Sequence, residues 1–169
     1  MKKAGIILVL LVLSLNQCID PVEYPLIPQI NYESYYLYYE KDSLGSIVLK
    51  GQLNFSFTDG DGNVGRDPSG DSLLVLADTE KYNLFMQLYD YKENQFVEIP
   101  EEDGGYLKYI IPYLDKQPLQ GTISVTLEYP FLTYDTIFYT FFIYDRDIQK
   151  SNTDTTDVRI LYPYVDTVN

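Results

Sequence analysis

Residues 46–58 read SIVLKGQLNFSFT, and this stretch decides the fold class. From residue 47 to residue 57 every second position is apolar or glycine, and the positions between them are polar except for Val48. Successive side chains of a β-strand point to opposite faces, so a period of two is typical of a strand with one face in a core. Residues 122–129, TISVTLEY, alternate in the same way without an exception.

Further stretches carry weaker signals of the same kind. Residues 136–144 (TIFYTFFIY) are apolar on both faces over much of their length, which favours a central strand. Beyond residue 18 no stretch keeps an apolar period of 3.6 for three helical turns. We therefore predict an all-β, antiparallel, immunoglobulin-like β-sandwich of seven to eight strands. The predicted strands are residues 30–40, 46–58, 84–91, 96–99, 106–111, 122–129, 136–144 and 157–162.

The N-terminal residues are typical of a secretory leader. Two lysines precede an apolar run at residues 5–15, which is too short to span a bilayer core of about 30 Å as a helix. The run is followed by Leu15-Asn16-Gln17-Cys18, which resembles a lipobox with Asn16 and Gln17 in place of the usual small residues. We predict a signal peptide at residues 1–17 and lipidation of Cys18. The alternative is an ordinary cleaved leader with an incidental cysteine.

The expected organisation after cleavage is a short tether followed by one domain. Three prolines at positions 21, 25 and 28 predict an extended tether over residues 18–29, and residues 30–169 suit a single sandwich. Ile19 follows the cysteine, where an aspartate would argue for retention at the inner membrane. We expect a lipid anchor in the outer membrane, with the periplasmic and the cell-surface face both left open.

Composition excludes several classes of function. The chain has no His and no Trp, and its single Cys is the lipidation candidate, so His-dependent, Cys-dependent and typical zinc-dependent catalysis are all excluded. The formal net charge is -13, and without the two leader lysines it is -15. Such a charge repels nucleic acids and attracts cations. We predict a non-catalytic protein, because the only chemistry left is a carboxylate-based hydrolase and the acids cluster in turns.

One of these acidic turns follows the deciding strand. Residues 57–67 read FTDGDGNVGRD, with oxygen-bearing side chains at alternate positions 59, 61 and 63 between glycines. Several oxygens on a backbone free to curl suit a hard cation. Val64 replaces the glycine of an EF-hand loop, so a true EF-hand is not expected. The alternative is that Asp-Gly and Gly-Asn are simply turn formers.

A second acidic cluster follows residues 136–144. In an immunoglobulin-like sandwich the two loops lie at the same end, where unpaired carboxylates would raise one another's pKa values. Bound Ca²⁺ would offset the repulsion, and so would Arg66 and Arg146. The expected Ca²⁺ ligands are Asp59, Asp61, Asn63, Asp67, Asp145, Asp147 and Asn152.

The segments FTDGDGNVG (57–65) and IYDRDIQKSNTDTTDVRI (143–160) resemble a family of small Bacteroidetes envelope lipoproteins of unknown function. Those chains have a relaxed lipobox, a proline-containing tether, an F-T-D-G-D-G-x-x-G loop and a late D-R-x-x-x-x-S-N stretch. The resemblance implies an envelope location and a sandwich fold, and it implies no activity. The middle of the chain, residues 66–135, carries no resemblance.

The first predicted strand is crowded with tyrosines. Strict alternation puts Tyr32, Tyr36 and Tyr38 on one face and Tyr35 and Tyr39 on the other, so one set should be core. The functional interpretation is a glycan-binding platform of Tyr35, Tyr36, Tyr38 and Tyr39, and the alternative is that Tyr simply suits a two-faced strand. The leading expectation is a structural or interaction module with an unknown protein or glycan partner, ahead of a glycan-binding lipoprotein and a hydrolase.

Overall fold

The computed structural model describes residues 23–66, 81–113, 120–129 and 133–161. The protein is an all-β sandwich of antiparallel sheets, and over these ranges no helix is long and apolar enough to cross a membrane. A 3₁₀ turn lies at Glu101–Asp103. The described strands are β1 (Gln29–Lys41), β2 (Ile47–Thr58), β3 (Leu84–Lys92), β4 (Gln95–Glu98), β5 (Tyr106–Tyr109), β6 (Gln120–Tyr129), β7 (Thr136–Ile143), β8 (Asp154–Thr155) and β9 (Arg159–Ile160).

The strands form two sheets, β1-β2-β6 and β4-β3-β7-β8. This is the strand order of an immunoglobulin-like sandwich, except that β5 pairs with β3 instead of extending the first sheet beside β6. β7 is a central strand as predicted, because it pairs with β3 on one side and with β8 and β9 on the other.

The core lies between the sheets and is built by the alternation. The predicted apolar face of β2 is buried from Leu49 to Phe57, whereas Ile47 at its start is exposed, and the Phe55 ring packs against Phe141 of β7 at 5.1 Å between centroids. Gly51 interrupts this face because a Cβ there would collide with the ring of Tyr35. The glycine thus makes room for a large aromatic side chain on the neighbouring strand.

A β-bulge in β1 corrects the predicted tyrosine faces. Tyr32 pairs with Phe55 and Ser34 pairs with Asn54, so Glu33 is an extra residue without an opposite partner. A bulge of one residue moves all following side chains to the other face. Tyr32 therefore packs against the core together with Tyr35, and the prediction that it shares a face with Tyr36 and Tyr38 was wrong.

The last strand is also different from the prediction. Residues 157–162 were expected to form one strand, but the structure has two pieces of two residues each, β8 and β9. Side chains take the place of continuous backbone pairing here. Ser151 and Thr156 accept hydrogen bonds from backbone N–H groups of β7, at 3.0 Å each.

The same segment covers the outer edge of β1. Asn152 Oδ1 accepts from the N–H of Ile30 at 2.8 Å, and Asp154 Oδ2 accepts from the N–H of Tyr32 at 2.6 Å. The guanidinium of Arg159 donates to the carbonyl of Tyr35 at 2.6 Å. Edge strands expose unpaired backbone groups, so these side chains close the edge between the two sheets.

The sandwich has two ends. At one end β2 and β7 finish and β1 and β6 begin, and this end is called the acidic pole. At the other end, the distal pole, lie the β1–β2 turn at residues 42–45 and the β3–β4 turn at Glu93 and Asn94.

Candidate cation site

The first loop of the acidic pole, residues 59–66, is organised around Asp59. This residue directly follows β2 and is fully buried. Its Oδ2 accepts hydrogen bonds from the backbone N–H groups of Asn63 at 2.7 Å and Val64 at 3.1 Å. The carboxylate therefore folds the loop back onto the end of the strand from which it came.

Glycines allow the chain to pack tightly around this loop. The N–H of Gly60 donates to the carbonyl of Pro25 at 2.8 Å, and a Cβ at Gly60 would collide with the backbone of Tyr24. Gly65 has a φ of 110° and lies against the carbonyl of Pro112. Tyr24 and Pro25, which were predicted to be part of the tether, are thus in contact with the first loop.

The second loop, residues 145–150, repeats the arrangement with Asp145. Only Tyr144 separates this aspartate from the end of β7, and the aspartate is fully buried. Its Oδ1 accepts from the N–H of Gln149 at 2.7 Å. Ile148 within this loop has a φ of 61°, which is uncommon for a β-branched residue.

The two loops meet, as the predicted strand order requires. The Nδ2 of Asn63 donates to Asp61 Oδ2 at 3.1 Å within the first loop and to Asp147 Oδ2 at 3.0 Å in the second. The carbonyl of Asn63 accepts from Arg146 Nε at 3.2 Å, and the guanidinium of Arg66 donates to the carbonyl of Asp145 at 2.9 Å. Each loop therefore donates hydrogen bonds to the other.

Three oxygens in this junction are buried and have no hydrogen-bond partner among the described residues: Asp59 Oδ1, Asn63 Oδ1 and Asp145 Oδ2. Each side chain is more than nine-tenths buried. Leaving a buried polar group unpaired costs about 1–3 kcal/mol, and more for a charged group. All three atoms are acceptors, so what they lack is a positive charge or a donor.

The raised pKa values of the two buried aspartates also indicate that a positive charge would stabilise this junction. Burial raises the pKa of Asp59 to about 6, and the charges of Asp61 and Asp145 add to the effect. Burial also raises the pKa of Asp145, to which the charges of Asp147 and Asp61 contribute. The ionised carboxylates are therefore destabilised by loss of water and by one another, and a cation held between them would reverse both effects.

The structure brings together only part of the predicted ligand set. Asp59, Asp61, Asn63, Asp145 and Asp147 lie in the junction, whereas both ends of the Asn152 amide bind the backbone of Ile30. Asp67 and Cys18 lie outside the described residues. Over the described ranges no three His, Cys, Asp or Glu side chains are grouped as a ready-made metal centre. The set here mixes two buried carboxylates with an amide oxygen, and Ca²⁺ accepts carboxylate, amide, carbonyl and water oxygens alike.

The predicted glycan platform is divided between two faces of β1. Tyr35 is fully buried and Tyr39 packs against the core, so neither offers an open ring. Tyr36 and Tyr38 lie on the outer face with ring centroids 5.9 Å apart. The hydroxyl of Tyr36 donates to Gln52 of β2 at 2.7 Å.

A chain of tyrosine hydroxyls in the core was not predicted. Tyr35 of β1 and Tyr129 of β6 share a hydrogen bond, and Tyr129 bonds in turn to Tyr139 of β7 at 3.0 Å. The rings of Tyr35 and Tyr139 pack edge to face at 6.0 Å. Alternation placed Tyr129 and Tyr139 on apolar faces, but no signal in the sequence indicates that the hydroxyls meet.

A shallow depression of about 450 Å³ lies beside the acidic pole, where β2 pairs with β6. The described residues that line it are Ser56, Phe57, Thr58, Gln120, Gly121 and Thr122. None of these described residues carries an ionisable side chain.

Comparison with known proteins finds no match: no family model fits the chain, and neither a curated protein nor a solved structure is similar to it. The site is therefore interpreted from its own geometry and chemistry.

Proposed function

We propose that this chain is a non-catalytic lipoprotein of the bacterial envelope whose β-sandwich is stabilised by Ca²⁺ bound between the two loops of the acidic pole. The observation that carries the proposal is the set of three buried acceptor oxygens, in the two loops that meet, which have no hydrogen-bond partner within the part of the chain that the structure describes. Each of these oxygens is an acceptor of the kind that Ca²⁺ binds.

The envelope location is supported by the sequence. The cationic start, the apolar run and Cys18 together make the pattern of a lipidated leader, and the resemblance to Bacteroidetes lipoproteins supports the same location. We propose anchoring in the outer membrane, where the domain serves as a structural or interaction module. Its macromolecular partner is a protein or a glycan of the envelope.

The non-catalytic role is supported by composition and by the fixed geometry of the acids. Without His, and with its only Cys at the proposed anchor, the chain would have to use carboxylates for catalysis. The two buried aspartates each have one oxygen engaged by backbone N–H groups of their own loops. Such carboxylates hold a loop in shape, and a glycosidase needs an acid pair open to a substrate cleft.

Ca²⁺ fits this set better than other common cations. It takes six to eight oxygens in flexible geometry, and the exposed carboxylates of Asp61 and Asp147 can complete the set together with water. Mg²⁺ demands a near-ideal octahedron, and Zn²⁺ favours nitrogen and sulfur ligands, which this pole does not offer among its described residues.

The test is thermal unfolding in Ca²⁺, in Mg²⁺ and in EDTA. A ligand present at about 100 times its Kd stabilises by about 2.7 kcal/mol, which raises the Tm of a domain of this size by roughly 5–10 °C. We expect this shift with Ca²⁺ and a much smaller one with Mg²⁺. Identical curves in Ca²⁺ and EDTA would refute the proposed site.

A matched pair of variants assigns the shift to the loops. Asp59→Asn keeps an oxygen for the N–H groups of Asn63 and Val64 but removes the charge, so the Ca²⁺ shift should disappear. Asp103→Asn removes the same charge from an exposed position in the 3₁₀ turn, and the shift should remain. A lost shift in both variants would indicate a general effect of net charge.

The glycan-binding alternative is weaker than the sequence suggested. Two of its four tyrosines, Tyr35 and Tyr39, are turned to the core, and only the Tyr36–Tyr38 pair is left on the outer face. Two tilted rings on a flat sheet do not form a pocket for a sugar.

A further inference from the structure

The N-terminal segment joins the domain at the acidic pole. The hydroxyl of Tyr24 donates to Gln120 at the start of β6 at 2.5 Å, and the carbonyl of Pro25 accepts from Gly60 in the first loop. β1 begins at Gln29, opposite Thr58 at the end of β2. The chain therefore leaves the sandwich beside the proposed cation site.

Little chain separates this exit from the proposed anchor. Residues 18–22 precede the first described residue, Glu23, and even a fully extended chain covers only about 18 Å from Cys18 to that point. β2 alone, with 12 residues, is about 40 Å long. If Cys18 carries a lipid, as the proposed function holds, the acidic pole is confined close to the headgroups.

Exposed apolar side chains are present at both poles, and those at the acidic pole lie beside the point where the chain leaves the sandwich. Leu26 is 61% exposed and Ile27 is 48% exposed in the segment that contacts the first loop. Ile148 is 45% exposed in the second loop, next to the Asp147 that binds Asn63. Its positive φ is a strained conformation for isoleucine, which the loop maintains although the side chain is not in the core.

The negative charge of the acidic pole opposes its contact with an anionic membrane. The chain is strongly acidic and is repelled by anionic lipids, and the carboxylates of both loops lie at this pole. A Ca²⁺ held by the buried oxygens together with the exposed carboxylates of Asp61 and Asp147 would cancel two of these charges, and it would have room for headgroup oxygens on its exposed side, since it accepts six to eight ligands.

We infer that the acidic pole is a lipid-contacting surface, on which Ca²⁺ bridges the loops to headgroup phosphates while Leu26, Ile27 and Ile148 rest among the headgroups. The inference rests on the proposed lipid anchor and Ca²⁺ site, and it adds an orientation. The domain stands on its acidic pole and directs the distal pole away from the bilayer.

The test uses the lipidated full chain, purified from a bacterial host and reconstituted in vesicles of phosphatidylethanolamine and phosphatidylglycerol. Lipidation blocks the thiol of Cys18, so a new cysteine can be labelled alone. Ile148→Cys places a fluorophore at the acidic pole. Leu44→Cys is the matched control, because Leu44 is 90% exposed in the distal turn.

Quenching by headgroup-attached nitroxide lipids then reports which pole touches the bilayer. In Ca²⁺ we expect loss of most of the fluorescence at position 148 and of little at position 44, with recovery at position 148 after EDTA. Equal quenching at both positions, or stronger quenching at position 44, would overturn the orientation and leave the apolar residues to a protein partner. Quenching at position 148 that persists in EDTA would overturn the bridging role of Ca²⁺.

These outcomes are separate from the failure of the proposed function. Mass spectrometry of the purified chain decides whether Cys18 is lipidated, and the thermal melts without vesicles decide whether Ca²⁺ binds. A lipidated, Ca²⁺-stabilised protein with equal quenching at both positions refutes only the lipid-contacting surface.

Discussion

Two groups of buried polar side chains in this sandwich are completed in different ways. The hydroxyls of Tyr35, Tyr129 and Tyr139 bind one another in a chain that joins the two sheets. Asp59 and Asp145 also have no exposed surface, yet each carboxylate has one oxygen without a partner among the described residues. Buried polar groups in proteins are nearly always paired.

The difference teaches where to look for a ligand. Hydroxyl groups are both donors and acceptors, so three of them can satisfy one another without outside help. Ionised carboxylates are acceptors only, and placing several together creates a demand that no neighbouring carboxylate can meet. The tyrosine hydroxyls therefore satisfy one another, whereas Asp59 and Asp145 each keep one oxygen without a partner in the described part of the chain.

The largest expected effect follows from raising the pH, which breaks the tyrosine chain. Burial raises the pKa of each of the three tyrosines above the ordinary value of about 10. A raised pKa in the folded state means that stability is full below pH 10 and falls as pH rises, because only the unfolded chain ionises. Three such groups remove about 8 kcal/mol by pH 12, which is most of the stability of a typical domain.

Circular dichroism and tyrosinate absorbance measured over the same pH series check this prediction. The absorbance of the buried tyrosines should appear together with loss of the β-sheet signal. If these tyrosines titrate near pH 10 with the sheet signal intact, the chain is more open to water than the structure indicates.

A smaller effect is expected from Tyr129→Phe. This change removes the middle hydroxyl, so that Tyr35 and Tyr139 both lose a partner, and it should destabilise the fold by about 2 kcal/mol. Denaturant unfolding measures the loss. Tyr36→Phe is the control, because its hydroxyl is exposed on the outer face and its removal should cost less than about 0.5 kcal/mol.

At the acidic pole a comparable change should have the opposite sign. Asp145→Asn keeps an oxygen for the N–H of Gln149 and replaces the unpartnered oxygen with a neutral donor among carboxylates. In EDTA we therefore expect equal or higher stability than in the original chain, by up to about 1 kcal/mol. In Ca²⁺ the order should reverse because the variant loses the cation. A variant less stable than the original chain in EDTA would mean that the pole is complete without a ligand.

The sequence predicted most of the fold because alternation is a local property. β2, β3 and β7 begin and end within about two residues of their predicted bounds, and the order of strands correctly brings the two acidic loops to one pole. The bulge at Glu33 was missed because a polar residue on an edge strand fits either register. The tyrosine chain joins residues far apart in sequence, so no local pattern could indicate it.

The predicted set of Ca²⁺ ligands also shows what a local sequence pattern leaves undetermined. Spacing identified Asp59 and Asp145 as oxygen-bearing residues near one pole, but it does not tell which oxygens are already engaged. Asn152 has the same chemistry as Asn63, yet its amide binds the backbone of Ile30 at the edge of β1. Only the contacts distinguish an oxygen that closes an edge from one that has no hydrogen-bond partner among the described residues.

The smallest predicted effect tests this distinction. Asn152→Ala removes two hydrogen bonds to the backbone of Ile30, at 2.8 and 2.9 Å, from an exposed residue. Water can reach the exposed edge and replace part of the loss, so we expect destabilisation of only about 1 kcal/mol. The Tm shift on adding Ca²⁺ should be unchanged, because no oxygen of the junction is lost. If the shift falls with Asn152→Ala as it is expected to fall with Asp59→Asn, Asn152 turns toward the cation when the site is occupied. The sequence prediction of seven ligands would then describe the bound state better than the contacts of the chain alone.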